Sequence, residues 1–142
     1  MHPGIIFAVV AAIAFGAWTV FHAQAANHID NLFGAIIISL TAVIVGTIFL
    51  LPNLKGTTLV TNSKGIIFAA LAGTMALTID YFVLKAYGSG LAISVTGPIV
   101  IGGSIAVAAL IGFFLGESVS LAKIMGLVLV IAGASLLAAT TN

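Results

Sequence analysis

GPIVIGGSIAVAALIGFFLGESVS, residues 97–120, reads as one long apolar helix, a sharp turn at Gly116-Glu117-Ser118, and the approach to a second apolar helix beginning near Leu121. The first of these helices carries Ser104, Ala108, Gly112 and Gly116 at a spacing of four, a stripe of small residues along one face. In lipid, hydrophobicity does not drive helices together, and such a stripe lets another backbone approach to van der Waals distance. Gly97-Pro98 stands near the start of the same helix. Pro98 has no N–H to give the carbonyl of Ser94, so the helix is expected to bend there and leave an acceptor free. A free acceptor at membrane depth is tolerated only against protein or a wet cavity. The pair of helices therefore predicts a packed interior and not a simple anchor.

Composition sets the solvent. The 142 residues are 62% hydrophobic and 5% charged, with a mean hydropathy of +1.36, whereas a soluble domain carries about 25% charged residues. No soluble fold has enough interior to hide this much apolar side chain, so the bilayer is the expected surroundings. A net charge of +1 gives no reason to expect a nucleic acid partner. All four basic residues are lysines, so the bidentate arginine clamp for phosphate or carboxylate is missing. Without cysteine there is no disulfide, thiol chemistry or cysteine metal site. No nucleophile–base pair, phosphate loop or metal-ligand cluster appears, so neither an enzyme nor a cofactor is expected.

Five apolar segments are long enough to span: residues 4–23, 32–51, 65–86, 91–115 and 121–139, each near the roughly 20 residues that cross the hydrocarbon. Together they predict one all-α membrane domain over residues 1–142. Ala23-Gln24-Ala25 resembles a signal cleavage site, but Met1-His2-Pro3 has no Lys or Arg and Trp18 sits late in the apolar run, so a retained helix is expected. Its face Ala8, Ala12, Gly16 and Thr19 has the spacing of a helix contact. His22 and His28, beside the short polar connection, are expected at the interface; six residues apart, they lack the spacing of a helical metal pair. Residues 52–64 form the longest polar linker, and Gly88-Ser89-Gly90 makes the third and fourth helices antiparallel neighbours. The fifth helix has Ser118 or Ser120 as N-cap and carries Ala122, Gly126 and Gly133 on one face. With the N-terminus inside, Lys55, Lys64 and Lys123 fall on the cytoplasmic side and only Lys85 outside, a bias small enough to permit both orientations.

These residues carry a family likeness. Lys85-Ala86-Tyr87, Gly97-Pro98, Leu115-Gly116-Glu117, Met125-Gly126 and Ala132-Gly133-Ala134 together resemble the EamA family of the drug/metabolite transporter superfamily. FFLGESVSLAKIMGLVLVIAGASLL, residues 113–137, is similar to that family's ending, and Phe15-Gly16-Ala17-Trp18 to its first helix. The resemblance implies one five-helix repeat of a ten-helix transporter. An odd helix count puts the termini on opposite sides, so two copies in opposite orientation reproduce the inverted repeats that serve alternating access. It implies a homodimer, possibly antiparallel, with the small faces of the fourth and fifth helices as its seam. Family members usually have an arginine in the second helix; its absence here argues against an anionic substrate.

Asp80 is the carboxylate placed well inside a span, about 10 Å below the nearer surface at 1.5 Å per residue. A membrane-embedded acid is a functional group by default. Ala69, Gly73, Ala76, Asp80 and Tyr87 share a face that should look into the bundle. There Asp80 either binds a cation or a coupling proton, or makes a structural hydrogen bond to a Ser or Thr or reaches the interface near Lys85. Glu117 is expected to be structural, favoured by the N-terminal dipole of the last helix. Trp18 and Tyr81 are candidates to line a cavity, with Tyr87 expected in the headgroup belt; Ser94, Thr96 and Ser104 offer hydroxyls beside Pro98. The expected binding residues are Trp18, Asp80, Tyr81, Thr96 and Pro98. The sequence thus predicts a multi-pass cell-membrane transporter subunit for an uncharged, zwitterionic or cationic small molecule. A non-transporting scaffold subunit and one half of a heterodimeric lipid-linked-sugar flippase are the alternatives.

Overall fold

The computed structural model describes residues 3–54 and 58–139. They form α1 (Pro3–Ala26), α2 (Asn31–Leu50), a 3₁₀ turn (Leu51–Asn53), α3 (Ser63–Gly88), α4 (Ile93–Phe114) and α5 (Leu121–Ala139). All five α-helices are long and apolar enough to cross a membrane, and no strand occurs among the described residues. Large apolar side chains stand open along every helix, Phe114 at 89% and Phe7 at 73% exposure. Lipid, not water, suits such a surface. Lys55, one of the lysines in the orientation argument, lies outside the described residues.

The helix ends follow local capping. The Asp30 carboxylate accepts from the backbone N–H of Leu32 and Phe33, both at 3.0 Å, and so starts α2. Asn62 Oδ1 accepts from Lys64 N at 2.9 Å, which starts α3 two residues before the expected Gly65. Ser120, the second of the two serines considered, caps α5 by accepting from Lys123 N at 3.3 Å. At the end of α4, Gly116 takes φ +92°, its N–H reaching Phe113 O and the N–H of Glu117 reaching Gly112 O. That is a left-handed C-cap which glycine adopts without strain. α1 runs three residues beyond its expected end at Ala23, because Gln24-Ala25-Ala26 are good helix formers. α4 continues through Pro98 to Phe114 without interruption.

The chain divides into two compact units, one of residues 1–21 with 89–142 and one of residues 22–88. In the first unit α4 packs on α5. Their close approach is at Gly102, where an added Cβ would stand 2.8 Å from Ala134 Cβ. Of the stripe, Ser104, Ala108 and Gly116 are exposed and Gly112 is buried, and Ala122, Gly126 and Gly133 of α5 are exposed. These faces, expected as the seam of a dimer, are not the ones that join α4 to α5. Ser104 and Ala108 lie two and six residues from Gly102, on another face of the helix.

In the second unit α2 packs on α3, and the buried residues gather at one end. Ala35 and Leu84 are fully enclosed, and Gly34 faces Leu84 Cδ1 so closely that a Cβ there would come within 2.9 Å. Gly88 lies against the carbonyl of Ala26 and the side chain of Asn31. The last turn of α1, the first turns of α2 and the last turns of α3 thus converge. Of the α3 face expected to be interior, Asp80 and Tyr87 are buried, while Ala69, Gly73 and Ala76 are open.

Candidate functional site

The buried end of the second unit holds an ion-pairing contact. His22 Nε2 lies 3.1 Å from Asp80 Oδ1, across 58 residues of sequence. The two side chains are 3% and 8% exposed. His22 stands four residues before the end of α1 and Asp80 eight before the end of α3, about 6 and 12 Å from those ends at 1.5 Å per residue. Both belong to apolar helices, so each is the other's means of being tolerated there. Either a neutral imidazole donates from Nε2–H to the carboxylate, or a protonated carboxyl donates to Nε2; an imidazolium–carboxylate pair is the third arrangement.

This corrects the reading of His22 as an interfacial residue. For Asp80, where a Ser or Thr hydroxyl was the structural alternative, the structure supplies a histidine as partner. Lys85 is exposed and places Nζ 5.8 Å from the centre of the Tyr81 ring, a cation–π contact. Tyr81 also meets Phe82 edge-on at 5.0 Å. Tyr87, expected in the headgroup belt, is 4% exposed, and its hydroxyl has no hydrogen-bond partner among the described residues. A shift of seven residues keeps it on the Asp80 face of α3.

The first unit carries a different feature. Thr19, Ile93, Gly97, Pro98, Val130 and Gly133 are among the residues around an open groove of about 420 Å³. Thr19 satisfies its own hydroxyl by donating to Gly16 O at 2.7 Å. Thr96 is 3% exposed with its Oγ1 unpartnered among the described residues. Trp18 is half-buried and stacks on Phe15 at 4.8 Å. Of the five expected binding residues, Trp18, Thr96 and Pro98 belong to this unit, and Asp80 and Tyr81 to the other.

Glu117 keeps a local role, but not at the start of α5. Its carboxylate folds back over Gly112 of α4, with both Oε atoms 3.2 Å from where a Cβ would sit. Its chain position just beyond the glycine cap directs it that way. Ser118 instead serves α5 through its carbonyl, which accepts from Lys123 Nζ at 2.8 Å. No group of three or more His, Asp or Glu suited to a metal occurs among the described residues. His22 was missed in the sequence because its partner is remote. The usable signal was depth: two ionisable groups in helices that run the same way across the bilayer, each within three turns of the same membrane face. No protein-family model matches the chain, and no curated protein and no solved structure matches it.

Proposed function

We propose that this chain is a half-size membrane transporter subunit of the drug/metabolite type, two copies of which form a ten-helix unit that moves a small metabolite by alternating access. The observation that carries this reading is the buried His22–Asp80 pair. A carboxylate and an imidazole placed inside apolar spans are costly in a structure that only anchors or scaffolds, and are useful where charge must cross. In this reading Asp80 is the coupling residue, and Trp18, Tyr81, Thr96 and Pro98 contribute to the substrate site.

The need for a second copy is supported by what one chain leaves open. Gly16, Gly73, Gly103, Gly126 and Gly133 have no neighbouring atom within 4 Å of an added Cβ, so the small-residue faces remain free for helices of a twin. The odd number of spans makes an inverted pair the arrangement that places equivalent gates on both sides. The likeness of residues 113–137 to the EamA ending supports the same reading. Lys64 and Lys123 begin α3 and α5, and Lys85 lies near the end of α3; this slight imbalance favours the N-terminus inside while permitting both orientations.

The test is uptake by the purified chain in phospholipid vesicles, offered a panel of uncharged, zwitterionic and cationic metabolites. At least one class is taken up above protein-free vesicles, and Asp80→Asn lowers that uptake tenfold or more. Folded protein that moves no member of the panel overturns the transporter reading. Normal uptake by Asp80→Asn, with unchanged pH dependence, removes Asp80 from the coupling role.

A further inference from the structure

We infer that His22 and Asp80 jointly hold one exchangeable proton, loaded from the membrane face at which α1 and α3 end, with the Tyr87 hydroxyl as the step between surface water and the pair. Charge counting gives the number. A neutral imidazole beside an ionised carboxylate carries one negative charge; one added proton makes the pair neutral, and a second makes it positive. Both outer states put a net charge among apolar side chains, and the middle state does not. The contact of 3.1 Å lets the two groups share that proton along a single hydrogen bond.

Tyr87 supplies the path. Its hydroxyl is enclosed and without a partner among the described residues, a condition that calls for water or a ligand polar atom. Long side chains on a helix lean toward its N-terminus, so a tyrosine seven residues beyond Asp80 on the same face leans back toward the carboxylate. A hydroxyl accepts one hydrogen bond as it donates another. With a water on each side of it, that hydroxyl passes a proton entering near Gly88 on to the pair, and on unloading the proton returns by the same route.

The other ionisable groups of this region are accounted for. α1 presents His22. The Asp30 carboxylate is held by the start of α2, whose buried residues Gly34 and Ala35 are uncharged. On α3, Lys85 is exposed over Tyr81, and His28 of the connecting segment is exposed.

The inference rests on Asp80 being the coupling group, yet its test reads protons and not transport. Protons taken up by the folded chain in vesicles after a pH step are counted with an indicator dye, for the parent, His22→Gln, Asp80→Asn and the double variant. Groups elsewhere cancel on subtraction of the double variant. A shared proton gives the parent and His22→Gln one more than the double variant and gives Asp80→Asn none, because a lone imidazole would gain a net charge by taking one. Two independent groups give the parent two, and that result, or none, overturns the inference. If Asp80→Asn does not fold, parent against His22→Gln still decides: equal counts support sharing, and a loss of one refutes it. Tyr87→Phe keeps the count and slows uptake tenfold or more; an unchanged rate refutes the path. A count of one in a chain that transports nothing removes the function and keeps the site.

Discussion

Replacing His22 with alanine leaves the Asp80 carboxylate enclosed and without its imidazole. At 3.1 Å the attraction between unit charges is about 5 kcal/mol for an effective dielectric of about 20. Desolvation of both groups cancels much of that, so the intact pair adds little net stability. Removing one partner is different, because the remaining charge keeps its desolvation cost; buried pairs broken in this way lose about 3–5 kcal/mol. The low end of that range applies here, since a chain unfolded within lipid or detergent also finds polar partners. His22→Ala is therefore expected to cost about 3 kcal/mol, and Asp80→Ala, which leaves an imidazole able to stay neutral, about 1–2 kcal/mol. The double variant costs less than the sum, with a coupling of about 1.5 kcal/mol or more. Reversible unfolding of the purified chain in mixed micelles measures all four species. A cost below about 0.5 kcal/mol for His22→Ala, with the two changes additive, would refute the pairing argument.

Three smaller perturbations probe the helix packing and ends. Gly102→Val forces α4 and α5 apart, since even a Cβ would stand 2.8 Å from Ala134 Cβ, and should cost about 1–3 kcal/mol; Gly103→Ala, with open space around it, should unfold in the same micelles at the parent's midpoint. Gly116→Ala places a side chain at φ +92° and should destabilise by about 1–2 kcal/mol, read in the same way. Asp30→Ala removes both hydrogen bonds that start α2 and should cost about 1 kcal/mol, with faster amide hydrogen exchange at Leu32 and Phe33.

The five spans were legible because each is an apolar run of sufficient length, and their ends shifted by three residues or fewer. That small error hid the main contact. Ending the first helix at Ala23 puts His22 at the surface; one further turn, to Ala26, carries it below the surface and beside Asp80. Asp80 itself was legible as a buried acid, since a carboxylate within an apolar run has nowhere else to go. Its partner was not, because no local spacing links residues 22 and 80. The small-residue stripes were legible as features but not as contacts: α4 meets α5 through Gly102, and spacing alone does not say which glycine face a given neighbour takes. Tyr87 shows the same limit, since a tyrosine near a helix end suits the headgroup belt and the interior equally well.

The claim that two copies complete one unit is tested most directly by single-cysteine cross-linking, because the chain has no cysteine of its own. Ser104 lies at the middle of α4 (Ile93–Phe114) and on its exposed stripe, with Ala108 one turn further. In an inverted pair equivalent residues meet only at mid-depth. Ser104→Cys should therefore form covalent dimers in native membranes, whereas Ala108→Cys, displaced by about 13 Å from its counterpart at 1.5 Å per residue, should not. Efficient cross-linking at both positions would replace the inverted pair with a parallel one. Absence of covalent dimers at every position along the stripe, in a chain that migrates as a single copy, would contradict the account.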